Sequence, residues 1–179
     1  KNFRGGIEIL LPLSLGVMMN QQLGVPSRIL LRLFDFGCRD FPKLYKKIRG
    51  FQWQNWLAPN CEPEFEASSS ASRLRIKTRI EETGWDGLKS SAWGQLSRTA
   101  TQYKQKIFIR FDSDICTVSL DTSGELLYRR GLRKLVSEAP IRENLAHGLW
   151  RILADRPASS REVTLVDPMM GSGVFGLEA

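Results

Sequence analysis

Val163-Thr164-Leu165-Val166-Asp167-Pro168-Met169-Met170-Gly171-Ser172-Gly173-Val174-Phe175-Gly176-Leu177 sets four apolar or β-branched residues before an acid, then a loop of small residues, then an apolar run. The order predicts a strand ending in a carboxylate, a Gly-x-Gly turn and the start of a helix. A Rossmann-like βα unit uses that arrangement to bring its backbone close to a nucleotide-type cofactor. Asp167, Pro168, Gly171, Ser172 and Gly173 are the candidate cofactor-binding residues. A Gly-x-Gly turn alone is a weak signal, so its weight depends on what precedes it.

Upstream lie Ser119-Leu120-Asp121-Thr122-Ser123-Gly124-Glu125-Leu126-Leu127-Tyr128-Arg129-Arg130-Gly131 and Ala139-Pro140-Ile141-Arg142-Glu143. With the glycine loop they form three ordered motifs, and over nearly the whole chain the sequence resembles the S-adenosylmethionine-dependent RNA methyltransferases that carry a THUMP domain. Within that family it is most similar to enzymes that methylate the exocyclic amino group of guanine in large-subunit 23S ribosomal RNA. The family pattern has cysteine where Met170 stands and threonine where Val174 stands. An Asn-Pro-Pro-Tyr type motif, which in such enzymes holds the target nitrogen, is not found in these residues. The resemblance therefore implies an N-terminal fragment, with S-adenosylmethionine as the cofactor of the parent and the catalytic residues unknown. Such a fragment is expected to be inactive alone and to bind the cofactor weakly or not at all.

The composition agrees. In 179 residues, 42% are hydrophobic and the mean hydropathy is -0.24, enough for a sizeable core. No run reaches the roughly 18 apolar residues that span a bilayer, and the stretch from Ile7 to Leu15 is broken by Pro12, so no membrane partner is expected. Cys38, Cys61 and Cys116 are scattered and form no Cys-x-x-Cys pair. They read as buried thiols of a cytoplasmic protein rather than as a metal or disulfide set. His147 is the only histidine and is expected to be an ordinary helix residue.

A net charge of +7 points to a polyanionic partner. Up to Asp121 there are 18 basic against 12 acidic residues, so most of the excess precedes the cofactor loop. One cluster, residues 40–49, has apolar positions at 41, 44, 45 and 48. It predicts a helix capped by Asp40, with Lys43, Lys46, Lys47 and Arg49 turned outward; a solvated helix face explains it as well as a binding site does. In a second, Ser68-Ser69-Ser70-Ala71-Ser72-Arg73-Leu74-Arg75-Ile76-Lys77-Thr78-Arg79, hydroxyl residues lead into four cations and a helix that ends near Leu88. Hydroxyls, a helix start and guanidinium groups suit phosphate, and the segment matches a THUMP pattern. Ser72, Arg73, Arg75, Lys77 and Arg79 are accordingly the candidate RNA-binding residues. The third, residues 128–134, resembles the linker between THUMP and catalytic domains, where it either faces RNA or packs between domains.

The expected fold class is α+β: a ferredoxin-like segment and a THUMP domain, then the start of a Rossmann-like α/β methyltransferase domain. The segment 1–50 reads as strand, helix, strand, helix, with strands at 5–9 and 28–33. The THUMP core spans 51–121 and the linker with the truncated catalytic domain 122–179. Within the core, Trp53 and Trp56 are spaced as core or hinge aromatics, 63–67 is a short strand, and the polar stretch from Ser90 to Lys106 reads as a loop or as only partly regular. Residues 107–120 form a hairpin around Asp112-Ser113-Asp114. A helix from Ala139 to Leu153, with Pro140 in its first turn, and a loop from Asp155 to Arg161 lead to the cofactor strand. RNA, ribosomal by the resemblance, is the expected partner. Two alternatives stand beside this reading: a transfer RNA guanine methyltransferase of the same family, and a non-catalytic RNA-binding module.

Overall fold

The computed structural model describes residues 2–3, 6–96, 103–129, 141–154, 164–168, 170–171 and 173–178. In chain order the elements are β1 (Asn2–Phe3), β2 (Gly6–Ile7), α1 (Leu13–Gln22), β3 (Leu30–Gly37), α2 (Phe41–Arg49), β4 (Cys61–Ser70), α3 (Lys77–Lys89), β5 (Tyr103–Asp112), β6 (Ile115–Asp121), α4 (Glu143–Ala154) and α5 (Val174–Glu178), with 3-10 turns at Trp53–Asn55 and Trp93–Gln95. The chain divides into two compact units, Leu30–Gly124 and the pair Lys1–Ile29 with Glu125–Ala179.

The unit Leu30–Gly124 is a four-stranded sheet in the order β3-β6-β5-β4. β5 and β6 form the expected hairpin around Ser113 and Asp114, which both have positive φ. β4 runs parallel to β5, a pairing that needs a crossover, and α3 supplies part of it. Pro63 sits within β4 without cost to the ladder because β4 is an edge strand. Ile107, Ile109 and Phe111 of β5 and Cys116, Val118 and Leu120 of β6 alternate onto one face. There they meet Leu44 and Ile48 of α2 and Ile80 and Leu88 of α3 in a single core.

Local signals formed as their chemistry dictates. The Asp40 carboxylate caps α2 by accepting from the backbone N–H of Lys43 at 2.8 Å, and Pro42 sits in the first turn, where no helical N–H is missed. Trp53 is fully buried against Phe34 and Phe51 and donates its indole N–H to the Ile48 carbonyl at 2.6 Å, whereas Trp56 lies at the surface. In α3, Gly84 and Gly87 let the helix press against the sheet and α2. A Cβ on Gly84 would lie 2.9 Å from Ile109 Cδ1, and one on Gly87 would lie 3.1 Å from Ile48 Cβ.

Several expectations need correction. The strand expected at 28–33 runs from Leu30 to Gly37, and the one at 63–67 is twice as long, because both are fixed by ladder partners far away in sequence. The stretch from Ser90 to Lys106 is partly regular, one of the two forms expected of it: Trp93 is buried in a 3-10 turn and Tyr103 to Lys106 pair with β4, while 97–102 lie outside the described residues. The compact units also differ from the expected segments 1–50, 51–121 and 122–179. β3 and α2 belong with the sheet because β3 pairs with β6 along its length.

In the other unit, Asn144 of α4 donates to the Val25 carbonyl and the Ser27 hydroxyl, and the Leu127 N–H donates to the Ser27 carbonyl at 3.0 Å, which ties residues 1–29 to 125–179. The helix expected from Ala139 is described from Glu143. Pro140, Asp155 to Arg161, and residues 130–134 of the third basic cluster lie outside the described residues.

Candidate nucleic-acid interface and cofactor loop

β4 ends in Ser68, Ser69 and Ser70, and the chain turns through Ala71 at a φ of 46° before Arg73. Ser69 Oγ donates to the Leu74 carbonyl at 2.5 Å, and Ser72 Oγ donates to the Ser70 carbonyl at 2.8 Å while accepting from the Asp114 N–H at 2.9 Å. These bonds pin the loop from within. Leu74 and Ile80 point into the core, while Arg73, Arg75, Lys77 and Arg79 are all exposed. Arg73 and Arg75 thus stand on the loop and Lys77 and Arg79 in the first turn of α3.

Ser72 departs from its expected role. Its side chain is almost wholly buried and its hydroxyl is engaged on both sides, so it braces the loop rather than meeting a phosphate. Arg75 Nε donates to the Ser72 carbonyl at 3.1 Å, and the Arg79 guanidinium lies over the Phe41 ring at 4.3 Å, a cation–π contact that joins α3 to α2. Lys43, Lys46, Lys47 and Arg49 are exposed along α2, the outward position their spacing predicts.

Sequence reasoning missed Asp114. Its carboxylate accepts from the Arg73 backbone N–H at 2.7 Å and from Arg39 Nε at 2.9 Å. The backbone bond to Arg73, with the Arg39 guanidinium beside it, holds this carboxyl below its ordinary pKa. Its partners are 41 and 75 residues away, and no local pattern marks such a contact. Beside it an open cavity of about 500 Å³ is lined by residues including Cys38, Arg39, Lys43 and Ile115. Cys38 is buried and its Sγ donates to the Asp40 carbonyl; burial pushes its pKa up, so it is not poised as a nucleophile.

At the cofactor loop, Gly171 has a φ of 53° and Gly173 a φ of 72°, conformations that glycine adopts without strain. Around Gly173 an added Cβ would meet nothing within 4 Å among the described residues, so the backbone conformation, not crowding, calls for glycine there. The Gly173 N–H closes the turn on the Met170 carbonyl at 2.8 Å, and α5 follows at Val174 as expected. Val174 is buried, so the position where the family pattern has threonine is used for packing. Asp167 is half-buried, Pro168 and Gly171 are exposed, and Ser172 lies outside the described residues. Residues 164–167 form no ladder among the described residues, and Val166 is 77% exposed. A strand exists only through its neighbours, and no described strand lies beside this one. The two left-handed glycines nonetheless fit a nucleotide-type cofactor approached by backbone.

Residues 130–179 match the UPF0020 family model, described as an RMKL-like methyltransferase domain. The Ribosomal RNA large subunit methyltransferase K/L of Desulfotalea psychrophila is 32% identical over 162 residues, covering 86% of this chain and 22% of that protein. A solved structure from Clostridium difficile 630, described as a possible methylase, superposes with a TM-score of 0.77 at 30% identity over 92% of this chain and 43% of its own. The structure of SMU.472 complexed with SAH gives a TM-score of 0.73 at 27% identity, over 92% and 44%. The chain spans about a fifth of the length of the K/L relatives and less than half of these solved structures.

Proposed function

We propose that this chain is the RNA-binding region and cofactor-loop segment of an S-adenosylmethionine-dependent RNA methyltransferase that modifies the amino group of guanine in large-subunit ribosomal RNA. The observation that carries the reading is one sequence holding both halves: a methyltransferase-domain match at 130–179, and upstream a pinned loop presenting Arg73, Arg75, Lys77 and Arg79 to solvent. In this reading Leu30–Gly124 is the THUMP region with part of the segment before it, and the protein works in the cytoplasm on ribosomal RNA, as the name of the K/L relatives suggests.

Asp167, Gly171 and Gly173 hold the cofactor, the glycines by letting backbone approach it and Asp167 by its carboxylate. When bound, S-adenosylmethionine supplies a methyl group on a sulfonium for transfer to a nucleophilic nitrogen. The RNA-binding region supplies position: phosphates neutralised by the four cations fix the RNA relative to the protein, and such contacts carry little sequence information.

The test is RNA binding as a function of salt. Replacing Arg73, Arg75, Lys77 and Arg79 together with Ala weakens binding of a structured RNA and flattens the slope of log affinity against log salt by up to about three units. Replacing Lys43, Lys46 and Lys47 changes it far less. Equal losses from both sets would mean diffuse electrostatics and would overturn the assignment of the site to residues 73–79.

A further inference from the structure

Asp114 spends every polar group it has inside the fold. Its N–H donates to Ser72 Oγ at 2.9 Å and its carbonyl accepts from the Cys38 N–H at 2.7 Å. One carboxylate oxygen accepts from the Arg73 N–H at 2.7 Å and the other from Arg39 Nε at 2.9 Å. It occupies the left-handed region, φ 62°, in the tight turn between β5 and β6. From there it draws together two loops that are remote in sequence, the one between β3 and α2 and the one between β4 and α3. Each loop carries an exposed arginine beside it.

A carboxylate among phosphate-binding cations is costly, because it repels the ligand they attract. Its presence there calls for a compensating role, and the hydrogen bonds supply one. The bond to Arg39 uses Nε and leaves the terminal guanidinium nitrogens for a phosphate. Its side chain is 72% exposed although its inner nitrogen is fixed. The bond to Arg73 is to backbone, so that guanidinium attracts the Asp114 carboxylate by its charge without being tied to it by this hydrogen bond.

We propose that Asp114 is a positioning residue of the RNA interface, presenting Arg39 and Arg73 together as phosphate contacts. Arg39, which belongs to none of the basic clusters in the sequence, thereby joins the interface. The inference rests on the RNA-binding reading above.

The sign of one substitution separates positioning from charge. Asp114→Asn removes a negative charge, and charge alone makes RNA bind more tightly. Asparagine tolerates the left-handed backbone and keeps an acceptor for Arg73, but loses the second acceptor that holds Arg39. Measured with a fluorescein-labelled stem-loop RNA and the 179-residue chain, Asp114→Asn is expected to weaken binding about fivefold, against about tenfold for a charged hydrogen bond lost outright. The control Asp112→Asn removes a nearby carboxylate whose recorded partners are the Ser113 hydroxyl at 3.2 Å and the Arg110 guanidinium at 3.9 Å; it is expected to leave binding unchanged or tighter.

A second readout excludes a general structural effect. Asp114 acts through Arg39, so in an Arg39→Ala background Asp114→Asn is expected to add little further loss, whereas global loosening would add fully. Tighter or unchanged binding by Asp114→Asn, while the quadruple variant of residues 73–79 still binds weakly, overturns this inference and leaves the RNA reading standing. A quadruple variant that binds as the unaltered chain does overturns the RNA reading itself.

Discussion

The Nδ1 atom of His147 lies 3.1 Å from Oε2 of Glu178, joining α4 to α5. The Glu178 side chain is only 6% exposed, so this contact fixes the short helix that follows Gly173. Glu178→Ala is expected to cost about 1 kcal/mol locally, and Glu178→Gln much less because an amide still pairs with the imidazole. Amide exchange of Leu177, whose N–H bonds the Gly173 carbonyl, is the readout. Unchanged exchange in Glu178→Ala would show that α5 is held by other contacts.

Crowding decides a second outcome. A Cβ at position 84 already comes within 2.9 Å of Ile109 Cδ1 and 3.1 Å of Phe65, so Gly84→Val is expected to destabilise Leu30–Gly124 by about 1–3 kcal/mol through overpacking. Urea unfolding monitored by circular dichroism measures it. A midpoint equal to that of the unaltered chain would mean that α3 can shift freely on the sheet.

The Asp114 carboxyl predicts a dependence on pH. Its pKa in the fold is depressed below the ordinary value of 3.8, so the stability it contributes is fully present above that value and is lost as pH falls through the lower folded value. The melting temperature of the unaltered chain should therefore exceed that of Asp114→Asn at neutral pH, and the gap should close in acid below that ordinary value. A gap that widened in acid would reverse the sign assigned to the Arg39 and Arg73 contacts.

Trp53→Phe removes the indole donor to the Ile48 carbonyl and part of a fully buried ring packed on Phe51. The expected loss is about 2–3 kcal/mol from the unpaired carbonyl and the void together. Trp56→Phe, at the surface, is expected to change stability by less than about 0.5 kcal/mol. Denaturant midpoints of the two variants check the contrast.

What the sequence made legible was local. Asp40, Pro42 and the apolar spacing of 41–48 wrote α2 within ten residues, the hairpin 107–120 declared itself by alternation, and the helix beginning at Val174 followed its glycine turn. The parallel pairing of β4 with β5 and the placement of β3 beside β6 rest on partners tens of residues away, so the edges of those strands could not be read from composition. Ser72 misled because a hydroxyl before a basic run suits a phosphate and a loop brace equally; burial separates the two, and burial is a tertiary property. Arg39 and Asp114 carry no local signal, since their relationship exists only after three loops meet at one end of the sheet.

Because β3 opens the unit Leu30–Gly124 and pairs with β6, its last strand, Leu30 stands opposite Asp121. Entrance and exit of this unit are therefore next to one another, separated by little more than the spacing of two strands. A chain segment with adjoining ends can be spliced into a host between two of its residues without prising the host apart, and its own ends can be sealed and reopened elsewhere. The unit is thus built as a cassette: joining its ends with a short linker and cutting in the turn between β5 and β6 would give a circularly permuted order of the same four strands.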